Sequence, residues 1–256
     1  MLTRPNLRNL SDGHPILNQR EIEDYAETLL REHFPSRLAM PSPLKAGDLM
    51  TLVNDVDGVV TERGDLGSEG QRKRLGRMYL KRKVIVLDHV LFGERQISLP
   101  FVMAHEVAHW LLHRDCDITT IKEREQFPDD DDETEDIDKS VQGWTALQWL
   151  EWQASKLAGA LLIPRLAAHN TLVGLQKDMG FSQNRLGAIF ENSSTEGRAE
   201  SAEQIEWIAK LFDVSKTVTR IRLSNLGIYK KQDGEPSRVG KAHNPFKSLS
   251  ALIGPR

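Results

Sequence analysis

The stretch 98–113, SLPFVMAHEVAHWLLH, reads as one helix. Ser98 stands where an N-cap is expected and Pro100 sits in the first turn, where its missing N–H costs nothing. Phe101, Ala104, Ala108 and Leu112 recur at helical spacing, which makes this a core helix. Inside it lies H-E-x-x-H. His105 and His109 are four residues apart, so both imidazoles lean from one helical face toward one point, as two ligands of a single cation must. Glu106 is about 100° further round, beside such a cation and in reach of its water. A chain with 8 His and 19 Glu contains this pattern by chance about 0.02 times, so coincidence explains it poorly.

A hydrolytic zinc site takes three protein ligands and keeps one position open. Two residues compete for third place. Asp115 occupies the slot used when a glycine bends the chain back after the second histidine, but position 112 is Leu112 and the helix runs on. Glu151 is the stronger candidate. It falls on a helix predicted over about Thr145–Ile163 and stopped by Pro164, within the stripe formed by Leu147, Leu150, Ala154, Leu157, Ala158 and Leu161. A carboxylate in an apolar stripe needs a partner, a cation or a metal. His113, on the Glu106 side of its helix, suits either a substrate contact or a supporting role at the helix end. Cys116 reads as an ordinary small residue. Trp144, Trp149 and Trp152 read as core and cleft wall.

These residues resemble a known family. His105-Glu106-x-x-His109, followed by Glu151-Trp152-Gln153-Ala154 and then Leu161-Leu162-Ile163-Pro164, is similar to the ImmA/IrrE metallopeptidases of bacteria and phages, over about Glu21 to Ile163. The resemblance implies a zincin-like core with zinc on His105, His109 and Glu151 and with Glu106 as catalytic base. It implies cleavage of a helix-turn-helix repressor, with derepression of mobile-element or stress genes. Ser155 stands where the family often has an Asp that orients a ligand histidine, and the spacer from His109 to Glu151 is stretched. Manganese suits the same donors.

Outward from the motif, Asn18 to His33 reads as a capped helix with Ile22, Tyr25, Ala26, Leu29 and Leu30 inward, and Ala46–Val53 as a short helix. Val56–Glu62, Arg77–Leu80 and Val84–Leu87 read as strands. With no room for crossover helices between them, an antiparallel sheet is expected. Residues 118–140 read as a flexible insert, since eight of the ten residues Asp129–Asp138 are acidic. Residues 166–231 read as a helical lobe. Within it 205–229 resembles a helix-turn-helix, with Ser215 as a cap and Lys216, Thr219, Arg220 and Arg222 as candidate DNA contacts, although such helix pairs more often serve packing. Residues 232–256 read as a disordered tail. The expected organisation is a peptidase domain over 1–165, the lobe, and the tail, in an α+β fold.

Composition bounds the rest. A net charge of −3 argues against a surface that attracts nucleic acid everywhere. A single cysteine excludes an intramolecular disulfide and suits a reducing compartment. No signal peptide or 20-residue apolar run is seen, so a cytoplasmic enzyme with a protein substrate and no membrane partner is expected. The alternative is a DNA- or protein-binding regulator whose zincin core does no chemistry.

Overall fold

A computed structural model describes residues 8–9, 15–38, 40–69, 72–93, 96–116, 145–183, 186–192 and 194–232. The acidic insert at 118–140, Trp144 and the tail from 233 onward lie outside the described residues, and so do the expectations for them.

Helix α1 spans Gln19–His33. Its start is a reciprocal cap: the Asn18 side chain accepts from the Glu21 amide at 3.0 Å, and the Glu21 carboxylate accepts from the Asn18 amide at 2.8 Å. All five expected inward residues are buried. Helix α2 spans Ala46–Asp57, longer than the sequence suggests. Val56 and Asp57 continue the helix until Gly58, at φ 70°, ends it in the left-handed conformation that glycine adopts freely. The first strand, β1, therefore begins only at Val60 and runs to Gly64.

Strands β2 (Gly76–Tyr79) and β3 (Val84–Asp88) complete a three-stranded sheet of order β1–β3–β2. The expectation of an antiparallel sheet is half right. β2 and β3 form an antiparallel pair across a tight turn at Leu80–Lys83, but β1 runs parallel to β3. The crossover that parallel pairing demands is supplied by residues 65–83 themselves. A small hairpin and β2 return the chain to its starting end, and no helix is needed.

Helix α3, Leu99–His113, is buried on nearly every side and packs most extensively on α4, Ala146–Leu162. Ser98 holds the boundary position without a side-chain cap bond. α4 starts on a Thr145–Gln148 capping box and ends before Pro164. The carboxyl end of α4 is capped from outside. The buried Arg37 guanidinium donates to the carbonyls of Leu161 (2.9 Å) and Leu162 (3.0 Å), groups that a helix end leaves without intrahelical donors. Burial pulls the Arg37 pKa down to about 10, against the opposing charge of Asp48.

After Pro164 come α5 (Arg165–Asp178), β4 (Ile189–Asn192), α6 (Thr195–Phe212), α7 (Lys216–Asn225) and β5 (Tyr229–Gln232). β4 and β5 pair in parallel, with α6 and α7 as the crossover. The sequence reads this region as helical throughout, because two four-residue strands leave no periodic signal. The fold is α+β, with a small sheet and a helical C-terminal lobe. One apolar cluster runs without a break from Leu17 to Tyr229. No helix among the described residues is long and apolar enough to cross a membrane.

Candidate metal centre

Helix α3 supplies His105 and His109, and α4, packed across it, supplies Glu151. His105 Nε2 and His109 Nε2 lie 3.1 Å apart. Glu151 Oε2 is 3.1 Å from His105 Nε2, and its Oε1 is 3.5 Å from His109 Nε2. Metal–ligand bonds of about 2.0–2.1 Å at tetrahedral angles place donor atoms about 3.3–3.4 Å apart, so this triangle has the dimensions of one face of a tetrahedral site. It is the one group of its kind among the described residues. Burial pushes the Glu151 carboxyl up. The two imidazoles beside it, His109 foremost, outweigh that and hold the group well below the usual carboxylate range.

The far nitrogens of the two histidines are also engaged. Ser155 Oγ donates to the Glu151 carbonyl at 2.8 Å and lies 3.4 Å from His105 Nδ1. A hydroxyl has one proton, so while it donates to the Glu151 carbonyl it can only accept from His105, which fits the His105 tautomer with its proton on Nδ1. His109 Nδ1 is 3.0 Å from His113 Nδ1. With His109 protonated on Nδ1 and donating to His113, both Nε2 lone pairs face each other and the Glu151 carboxylate. Three acceptors then converge with no proton between them, an arrangement that a cation stabilises.

Glu106 is buried at 7% exposure on the same helix. Strand β2 lies directly against it: a Cβ on Gly76 would fall 2.7 Å from Glu106 Oε1 and 2.6 Å from Val102 Cγ1. Only glycine permits this approach. Sequence reasoning passed over Gly76 because it starts this strand at Arg77; the strand in fact begins at the glycine, and a glycine in a strand is a signal of close backbone contact. His113 is fully buried against His109, so of its two expected roles the supporting one matches its position.

The remaining candidates lie apart. Asp115 is exposed beyond the helix end and outside the donor group. Burial, helped by Asp115, raises the Cys116 thiol to about 11, which keeps it protonated and a poor ligand. Trp149 and Trp152 make an edge-to-face pair with ring centroids 5.4 Å apart, flanking Glu151 in sequence.

The helix-turn-helix reading holds for the backbone and fails for half of its side chains. Ser215 caps α7 by accepting from the Val218 amide at 3.2 Å, and Asp213 makes the turn at φ 54°. Thr219, however, is fully buried, and Arg222 is 2% exposed. Arg222 donates through Nε to the Ile163 carbonyl at 2.9 Å and through both terminal nitrogens to the Glu23 carboxylate. Lys216 pairs with Glu206 at 2.6 Å, and Arg220 is exposed. The face expected to meet DNA is thus partly the face that binds α7 to α1 and α4.

No family model matches the chain, and no curated protein matches it. Among solved structures it is similar to a Mycobacterium tuberculosis transcriptional regulator, at 17% identity and a TM-score of 0.48. The match covers 80% of this chain and 46% of that one, so the chain spans less than half the length of that structure. A likeness this distant carries no functional argument.

Proposed function

We propose that the chain is a zinc-dependent endopeptidase. The observation that carries the reading is the triangle of His105 Nε2, His109 Nε2 and the Glu151 carboxylate, with the buried carboxylate of Glu106 one residue along the same helix. Its donor set, two imidazoles and one carboxylate, is the chemistry of hydrolytic zinc sites, and manganese is the second metal it suits. A zinc ion held there supplies Lewis acidity toward water and a peptide carbonyl. Ser155 and His113 keep the two imidazoles in the tautomer that leaves Nε2 free. Glu106 takes a proton from the attacking water and returns it to the departing amine, the task of a general base turned acid. Gly76 keeps β2 close against that carboxylate and limits its rotamers.

The substrate assignment rests on the resemblance of the motif pair alone: a helix-turn-helix repressor, whose cleavage derepresses its genes, in the cytoplasm. The test pairs two variants with the wild type. Purified wild-type chain is expected to hold one zinc equivalent by elemental analysis, and Glu151→Gln to hold much less. Glu106→Gln is expected to keep its metal and lose at least about 10²-fold in cleavage of a candidate repressor, followed by mass spectrometry. Full metal in Glu151→Gln removes that residue from the site. Equal cleavage by Glu106→Gln and wild type removes the base. A regulator built on a non-catalytic core has no use for Glu106, so the same variant separates the two readings.

A further inference from the structure

We propose that the outer face of the three-stranded sheet binds single-stranded nucleic acid. The net charge of the chain conceals a local excess: residues 72–83 include seven Lys or Arg, and no acid occurs between Glu69 and Asp88. The structure sorts these cations. Lys73 is held by Asp65 (2.8 Å) and Asp88 (3.0 Å), and Lys83 donates to the Asp57 carbonyl at 3.2 Å. Arg77, Lys81 and Arg82 are exposed and make no ion pair with another described residue.

Strand alternation places Arg77, and Lys81 and Arg82 follow in the turn after its strand. Gly76 faces α3, so Arg77 and Tyr79 stand on the opposite face of the sheet. The register sets Arg77 across from Val86, with Glu62 beyond it, and Tyr79 across from Val84, with Val60 beyond it. The two outer strands are exposed on this face, at Val60 (48%), Glu62 and Arg77, while Val84 on the central strand between them is covered at 8%. Around the Tyr79 ring stand two guanidinium groups, Arg77 at 4.8 Å and Arg82 at 5.3 Å from its centroid. Glu62 is the one acid on the two rows and is outnumbered.

Two guanidinium groups at an aromatic ring, with the exposed Lys81 in the adjoining turn, match the needs of one ligand class. Phosphates take the charges, while the tyrosine ring and the planar guanidinium groups offer stacking surfaces to unpaired bases. Duplex bases are already stacked and leave those planes unused. An acidic peptide uses the charges only. The inference is independent of the peptidase reading, because none of these side chains belongs to the His105–His109–Glu151 group.

Fluorescence anisotropy of a labelled single strand of about 20 nucleotides, titrated with the full chain between about 50 and 200 mM salt, tests it. Binding is expected at the lower salt and should fall as salt rises. The triple variant Arg77→Ala, Lys81→Ala, Arg82→Ala should bind at least roughly tenfold more weakly, and its log–log salt slope should be shallower by about 2, near 0.7 per lost phosphate contact. The charge-conserving triple Arg77→Lys, Lys81→Arg, Arg82→Lys should keep the slope. Absence of binding at low salt overturns the proposal, as does an alanine variant that binds like wild type. Equal displacement by poly-glutamate makes the surface a site for acidic protein, and duplex DNA binding as tightly as the single strand removes the stacking argument. Either result also overturns it.

Discussion

Two helix pairs carry the polar residues that a first reading singles out, and they use them in opposite ways. In α6–α7 the buried Arg222 meets one acceptor for each of its engaged donors: the Ile163 carbonyl and both oxygens of Glu23. In α3–α4, with His105 and His109 protonated on Nδ1 toward Ser155 and His113, three acceptors face one another. The first cluster is closed and complete within the chain. The second, in that tautomer, has acceptors in excess, which the proposed cation balances. A buried polar side chain is therefore not by itself a sign of function. The informative quantity is whether donors and acceptors balance.

The contrast is tested hardest at Glu23. Glu23→Ala leaves Arg222 buried without its counter-charge and should cost about 3–5 kcal/mol in urea unfolding, with metal content unchanged. The paired replacement Glu23→Leu with Arg222→Met should recover most of that loss, since a well-packed apolar pair replaces a buried ion pair at little cost. Equal instability in both variants would mean that the pair does more than tie α7 to α1.

Next in size is Gly76→Ala. The added methyl group displaces Glu106 or pushes β2 away, and misplacement of a reacting group by about 1 Å costs up to about 10²-fold in rate. Cleavage should fall by that order while zinc affinity holds. A variant that loses both would show that β2 supports the ligands and not only Glu106.

His113→Leu and Ser155→Ala remove the groups beside the outer nitrogens of His109 and His105, the proposed zinc ligands. Zinc affinity, measured by competition with a chromophoric chelator, should weaken by about 10–100-fold. The larger loss is expected at His113, whose contact is 3.0 Å against 3.4 Å at Ser155. Unchanged affinity in both would break the proton argument on which the contrast stands.

The smallest effect is expected on the outer side of α7. Lys216 is exposed and its pair with Glu206 lies in solvent, so Lys216→Ala should move the unfolding midpoint hardly at all, within about 0.5 kcal/mol. A loss comparable to that of Glu23→Ala would erase the distinction between the inner and outer faces of this helix.

Much of this chain is legible in one dimension because its signals are local. The Asn18–Glu21 and Thr145–Gln148 caps span three residues each, and the shared face of His105 and His109 follows from four-residue spacing on any α-helix. Glu151 was reachable by the same logic, as a carboxylate inside an apolar stripe. What stayed hidden depends on distant partners. The parallel pairing of β1 with β3 and of β4 with β5 is a choice among registers that flanking residues do not state. Gly76 matters because Val102 and Glu106 lie behind it. Arg222 turns inward because Glu23, 199 positions earlier, waits there. The sequence alone determined which helices form and which side chains share a face, since hydrogen bonds within a few residues decide both. Only the tertiary structure decided which of those faces meet, because burial and charge pairing are settled by neighbours in space.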